Sequence, residues 1–220
     1  MITRLPRWVW VCAWVLAFIA GIINVVGILG FEHQAITHLT GNTSLLATAL
    51  ANADLPALAH FTAMIGSFVA GTVASGFIIQ DSTLQLGRRY GVALFLESVL
   101  LFAAIPFLNR HSVYGLYAAA CACGLQNAMA TTYSGTVVRT THVSGMFTDL
   151  GISLGHALRG LPVDLKRLRM GCLIISGFLC GGIIGTLAYR AFDGYALLIP
   201  ASLTGIASLA YGWHMFRQSR

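Results

Sequence analysis

Two copies of one short polar pattern carry the residues in this chain best suited to chemistry: Thr37-His38-Leu39-Thr40-Gly41 and, 104 residues later, Thr141-His142-Val143-Ser144-Gly145. Each places a histidine, a hydroxyl and a glycine just ahead of an apolar run. A Thr or Ser there reads as an N-cap, its oxygen accepting from the free N–H groups of a helix start. Thr40 and Ser144 are therefore assigned as caps. A helix start carries partial positive charge and unpaired donors, which suit an anion or a polar solute with acceptor oxygens. Gly41, Asn42, Thr43, Gly145 and Thr148 complete this candidate substrate-binding set.

Other polar residues fall inside apolar runs, and each has a functional and a structural reading. His38 and His142 are gates, proton carriers or ligands, or else their rings satisfy loop carbonyls exposed by a break in the helix, the preferred reading. Asn24 and Asn127 precede the two patterns by similar distances and either contact a solute or tie their helices to unwound backbone and to each other's neighbours. Gln126 projects from a different side of its helix than Asn127, so only one of the two is expected at the site. Glu97 lies well inside a span, where a carboxyl is costly unless paired, protonated or at a water-filled cavity, so it is a coupling candidate or a bond to a neighbouring helix. Asp149 has the same two readings, without an acidic counterpart at Leu45. Arg139 either adds positive charge to the site or marks the cytoplasmic face.

The elements that must hold these residues are membrane helices. With 57% hydrophobic and 9% charged residues in 220, too little polar surface exists to cover a soluble domain. Apolar runs of about 20 residues, enough to span a bilayer, occur at Trp8 to Phe31, Pro56 to Ile79, Tyr90 to Leu108, Val113 to Thr131, Met170 to Tyr189 and Tyr195 to Phe216. The first is too long for the apolar part of a signal peptide and reads as a retained helix. Two shorter stretches, Thr40 to Ala51 and Ser144 to Leu158, reach only about 18 to 22 Å and read as re-entrant half-helices. Six crossings from a cytoplasmic N-terminus put Arg4, Arg7, Arg88, Arg89, Arg139, Arg159, Lys166, Arg167, Arg169, Arg217 and Arg220 inside and only Arg110 and Arg190 outside. The net charge of +6 thus reads as topology rather than nucleic-acid binding, and the stretch Arg159 to Arg169, ahead of a span, as a topology anchor touching anionic lipid. All five cysteines lie in apolar runs and imply no disulfide framework.

The expected fold is an all-α polytopic membrane protein, one membrane domain over residues 1–220, with six transmembrane helices and two re-entrant half-helices. Residues 8–108 form span, half-helix, span, span, and residues 113–216 repeat that order. Ser44 aligns with Thr148, Leu46 with Leu150 and Leu50 with Leu154 at the same offset of 104. Three crossings per half is odd, so the copies have inverted topology, as in many secondary transporters, and the half-helix N-termini meet near mid-membrane. Gly177, Gly181 and Gly185, with Gly66, Ala70 and Ala74 in the equivalent span, read as faces for close helix packing. They leave a homodimer open.

The run Ile36-Thr37-His38-Leu39-Thr40-Gly41-Asn42-Thr43, with Gly124-Leu125-Gln126-Asn127-Ala128 and Val138 to Gly145 leading to Thr148-Asp149-Leu150-Gly151, resembles the YoaK-like family of bacterial membrane proteins. The resemblance implies a bacterial inner-membrane protein of about this length and a domain of unknown function. Members of that family often carry an acidic residue where this chain has Asn24, which weakens any cation or proton-relay role there, and a threonine where it has Ser144. The leading functional class is a small secondary transporter or channel-like carrier for a small anion or polar solute. A membrane partner or regulatory protein is the alternative. An intramembrane enzyme comes last, because no His-Glu-x-x-His pair, Gly-x-Ser-x-Gly elbow or two-carboxylate motif is present. Neither a cofactor nor a metal is expected.

Overall fold

The computed structural model describes residues 6–31, 34–80, 88–134 and 138–218, and among these the chain is helical, with no strand. Arg4 and Arg220, which enter the charge count above, lie outside the described residues. The helices are α1 (Arg7–Gly30), α2 (Leu39–Ala51), α3 (Leu55–Ile79), α4 (Arg88–Leu108), α5 (Val113–Ser134), α6 (Val143–Leu158), α7 (Leu165–Phe192) and α8 (Leu198–Gln218), with a 3-10 turn Asp193–Leu197 before α8. Four stretches are long and apolar enough to cross a membrane: Trp8–Gly30, Leu55–Ile79, Arg89–Leu108 and Leu165–Trp213, the last covering both α7 and α8. Helix α5 falls below that mark because Gln126 and Asn127 interrupt its apolar run. Large apolar side chains such as Val73, Phe77, Leu179, Leu187 and Leu209 cover the outer surface, which suits lipid and not water. The protein is a helical membrane protein.

Two helices begin on aspartate caps. Asp54 accepts from the Ala57 N–H at 3.1 Å, with Pro56 in the first turn, and Asp164 accepts from the N–H groups of Lys166 and Arg167 at 3.0 and 3.1 Å. The second cap starts α7 five residues ahead of the expected Met170. Lys166, Arg167 and Arg169 therefore belong to its first turns and do not precede it. The cap decides this, because an aspartate satisfies two orphan donors where the apolar run has not yet begun.

Glycines set the main helix pairings, α1 on α7 and α3 on α5. A Cβ on Gly21 would collide with the Phe178 carbonyl oxygen and one on Gly181 with that of Phe18. Likewise a Cβ on Gly124 would strike the Phe68 carbonyl oxygen and one on Gly71 that of Cys121. Such backbone approach is what small residues permit where lipid supplies no hydrophobic drive between helices. The expected face of Gly66, Ala70 and Ala74 is one position off: Gly66 has nothing near it and Ala70 is exposed, whereas Gly71 is buried. The apolar neighbours Met64 and Phe68, buried on the Gly71 side, turn α3 that way. Helix α4 packs on α8 through reciprocal bonds, Ser98 Oγ to the Ala201 carbonyl at 2.7 Å and Ser208 Oγ to the Gly91 carbonyl at 2.8 Å.

The short helices stand apart from this core. Helix α2 lies on α3 and buries only Asn42 and Ala49, and α6 lies on α7 with no buried residue. Gly71→Val and Gly181→Val are each expected to lower stability by about 1–3 kcal/mol by forcing backbones apart. Gly66→Ala, in open space on an exposed helix, should be neutral or stabilising by up to about 1 kcal/mol. Thermal unfolding of the detergent-solubilised variants, followed by circular dichroism, checks the contrast.

Candidate functional site

The two short helices begin at one cleft of about 730 Å³. His38, Leu39 and Thr40 line it from the start of α2, and His142, Val143 and Ser144 from the start of α6. Asn24 of α1 and Asn127 of α5 line it as well, and among the described residues that line it Arg139 is the charged side chain and none is a carboxylate. Phe68, Phe147 and Phe178 give it apolar walls, and Thr37, Thr72, Thr131, Thr132 and Thr141 add hydroxyls that sequence reasoning did not assign to the site. Threonines are too common in helices to stand out without a fold.

Where the chain leaves α1 and turns into α2, its backbone needs partners that a helix would otherwise supply. Asn24 provides them. Its Oδ1 accepts from the Thr37 N–H at 3.0 Å and the Thr37 hydroxyl at 2.8 Å. This is the reading in which the amide ties its helix to unwound backbone. A second clamp escaped the sequence: His60 of α3 reaches Gln34 Oε1 through Nε2 at 2.6 Å and the Tyr117 hydroxyl through Nδ1 at 2.8 Å. An amide oxygen only accepts, so Nε2 donates and Nδ1 accepts from the tyrosine. A lone histidine in an apolar span offers no spacing that would have revealed this.

The second half is held differently. Asn127 Oδ1 has no hydrogen-bond partner among the described residues, nor does the fully buried Thr140 hydroxyl. The link is instead fastened by Ser134, whose Oγ accepts from the Val138 N–H at 2.8 Å. Gln126 turns away from the cleft, fully buried, and donates from Nε2 to the Leu16 carbonyl at 2.7 Å.

The caps differ from the sequence expectation. His38 and His142 occupy the N-cap positions, neither capping through its side chain, and Thr40 and Ser144 sit inside the first turn. The backbone turns two residues earlier than a hydroxyl cap requires, with His38 at φ −92° and ψ 70°. The rings do not bond loop carbonyls among the described residues. They fold back over the first turn instead: a Cβ on Gly41 would lie 3.2 Å from His38 Cδ2, and one on Gly145 would collide with the His142 ring. That contact gives the His-x-x-Gly spacing its physical reason.

Several assigned residues lie outside the cleft. Gly41 and Gly145 sit beneath the rings, and Asn42 is buried in α2 with its amide nitrogen unpartnered among the described residues. The hydroxyls of Thr43 and Thr148 bond back to the carbonyls of Leu39 and Ser144 at 2.8 and 3.1 Å. Asp149 pairs with Arg167 through two bonds of 2.9 and 3.1 Å, which tie α6 to α7. Glu97 is fully buried in α4, with no partner for either oxygen among the described residues.

What remains at the cleft is a set of donors and hydroxyls around two positive helix ends. The Asn42 N–H is bonded to the His38 carbonyl, so the N–H groups of Leu39, Thr40 and Gly41 have no helical partner. Those of Val143, Ser144 and Gly145 are in the same position. Such an arrangement can hold acceptor oxygens or negative charge.

A family model described as "Protein of unknown function (DUF1275)" matches residues 12–210. No curated protein and no solved structure gives a match.

Removing the Asn24 amide leaves a buried backbone donor without a partner, so Asn24→Ala is expected to cost about 1–3 kcal/mol. Asn127→Ala, at the amide whose oxygen has no partner, is expected to cost less than about 1 kcal/mol. Equal losses in thermal unfolding of the two variants would overturn the structural asymmetry.

Proposed function

We propose that this chain, which belongs to the DUF1275 family of proteins of unknown function, is a small carrier or channel-like transporter that binds a small anion or acceptor-rich polar solute in the cleft between α2 and α6. The observation that carries this reading is that both helix starts, both histidines and Arg139 line one cleft, with no carboxylate among the described residues that line it. A cation would meet two positive dipole ends and a guanidinium there, and an anion meets donors.

The reading includes six spanning helices, α1, α3, α4, α5, α7 and α8, with α2 and α6 re-entering from opposite faces as parts of two inverted repeats. Packing supports the repeat independently of the sequence pattern. Phe18 and Gly21 correspond to Cys121 and Gly124 at an offset of 103, and Phe68 and Gly71 to Phe178 and Gly181 at an offset of 110, each in the same carbonyl-to-glycine contact. Gly91 and Ser98 correspond to Ala201 and Ser208 at 110, as do the caps Asp54 and Asp164. Inverted halves place a shared site at the repeat interface, where alternating access needs it. The charge balance supports both termini on the cytoplasmic side of a bacterial inner membrane. Glu97, a carboxyl within a span and away from the cleft, is the candidate for coupling. The reading contains no catalytic step.

A membrane partner or regulatory protein is the second reading, favoured by the absence of any buried residue on α6. Single cysteines at Thr37, Asn42, His142 and Met146 on a cysteine-free background separate the two. For a carrier, probes at Thr37 and His142 label with small thiol reagents from opposite sides and are protected by the same anion from a panel of inorganic and carboxylate anions. Probes at Asn42 and Met146, outside the cleft, label poorly. Thr40→Val combined with Ser144→Ala should weaken protection by about tenfold or more. No protection by any anion, with the double variant indistinguishable, would move the partner reading ahead.

A further inference from the structure

A second crevice, of about 540 Å³, lies between α1, α4, α5 and α8, apart from the cleft of the short helices. Its floor is apolar, with Ala13, Ile19, Met129 and Ala130 buried, and its open side is bordered by the exposed Val11, Cys12, Leu203 and Ala207. Its two aliphatic hydroxyls are already committed, Ser134 to the Ala130 carbonyl at 2.8 Å and Thr204 to the Pro200 carbonyl at 3.0 Å, and its other hydroxyls are the phenols of Tyr90, Tyr133 and Tyr211. Water would find few partners there, and a hydrocarbon would lose nothing.

The shape restricts the occupant. Trp8 and Ile19 mark its ends along α1, about 16 Å apart at the rise of a helix. That is about half of a bilayer core of roughly 30 Å, the depth of one leaflet. A volume of about 540 Å³ spread over that length is less than about 10 Å across, narrower than a helix with its side chains.

One end carries the marks of the membrane interface. Trp8 and Tyr133 have ring centroids 5.4 Å apart and Tyr133 and Tyr90 5.7 Å apart, a belt of amphipathic rings at the crevice mouth. At the same end the exposed Arg89 follows α4's first residue, adjoining Tyr90, with its Nη1 donating to Gln80 Oε1 and further N–H donors on the same guanidinium, and the exposed Arg217 lies with its guanidinium 5.3 Å from the Trp213 ring centroid. Among the described residues no Asp or Glu lines the crevice. Apolar depth of one leaflet beneath an aromatic belt and two arginines complements a hydrocarbon tail below an anionic head.

We infer that this crevice is a binding site for an anionic phospholipid, one acyl chain lying between α1 and α8 and the headgroup phosphate meeting Arg89 and Arg217. The inference requires only that the protein sits in a bilayer and stands whether or not the cleft carries a solute. Bound in this way, the lipid fills the gap that helix α1 leaves beside α8, since α1 packs chiefly on α7.

The test uses the full chain reconstituted in nanodiscs of equal phosphatidylglycerol and phosphatidylcholine, released for native mass spectrometry. One phosphatidylglycerol per chain is expected to stay bound, preferred over phosphatidylcholine by about fivefold per arginine. Ala207→Phe and Leu203→Phe, which fill the crevice from its exposed side, should each lose that lipid. Ile206→Phe, on the same helix and outside the crevice, should keep it. Arg89→Ala with Arg217→Ala should erase the preference while an uncharged lipid is still retained. Retention by both filling variants equal to that of Ile206→Phe would overturn the site. A wild-type complex that carries a second copy of the chain or a neutral lipid at this position would overturn the anionic phospholipid.

Discussion

Backbone N–H and C=O groups within a bilayer have no water to turn to, so wherever a helix stops inside the protein some side chain must take its place. In this protein that burden falls on the links that lead into α2 and α6. Asn24 takes both the amide and the hydroxyl of Thr37, His60 holds Gln34 against Tyr117, and Ser134 holds Val138. These few bonds allow two helices to begin beside one cleft instead of continuing from α1 and α5. The donors left over at their starts are the ones that a solute can use.

The walls of the cleft depend on the same helices meeting at backbone distance. Phe68 and Phe178 each offer a carbonyl to a glycine of the facing helix and a ring to the cleft. Close packing and site geometry are thereby coupled, since moving α3 from α5, or α1 from α7, shifts an aromatic wall. The glycines are thus part of the site's construction although none of Gly21, Gly71, Gly124 or Gly181 lines it.

The two short helices and the residues that hold them also differ. Asn24 is saturated by Thr37, whereas Asn127 Oδ1 is unpartnered among the described residues. Asp149 anchors α6 to α7 through Arg167, while its counterpart Leu45 is apolar and exposed. The starts of α2 and α6 are thus held by different bonds, although both line the same cleft.

Composition and run length sufficed for a helical membrane protein, because a bilayer demands long apolar helices whatever their arrangement. The repeated Thr-His-x-Thr/Ser-Gly pattern marked the starts of α2 and α6 for a similarly local reason: a histidine ring folded over a first-turn glycine needs that spacing. Asn24, Asn127, His38, His142, Thr40, Ser144 and Arg139 were legible as candidates from residue type and position in the chain, and all seven line the cleft. Only the tertiary structure decided which hydroxyls face it. Thr43 and Thr148 have the same residue type as Thr40 but lie outside the cleft, and Thr72 and Thr132 line it from distant positions in the chain. The caps moved by two residues and the packing face of α3 by one because a helical register turns each residue by about 100°, and neighbours far away in sequence choose the side that is buried. Local chemistry determined where the helices start, and long-range packing determined what they point at.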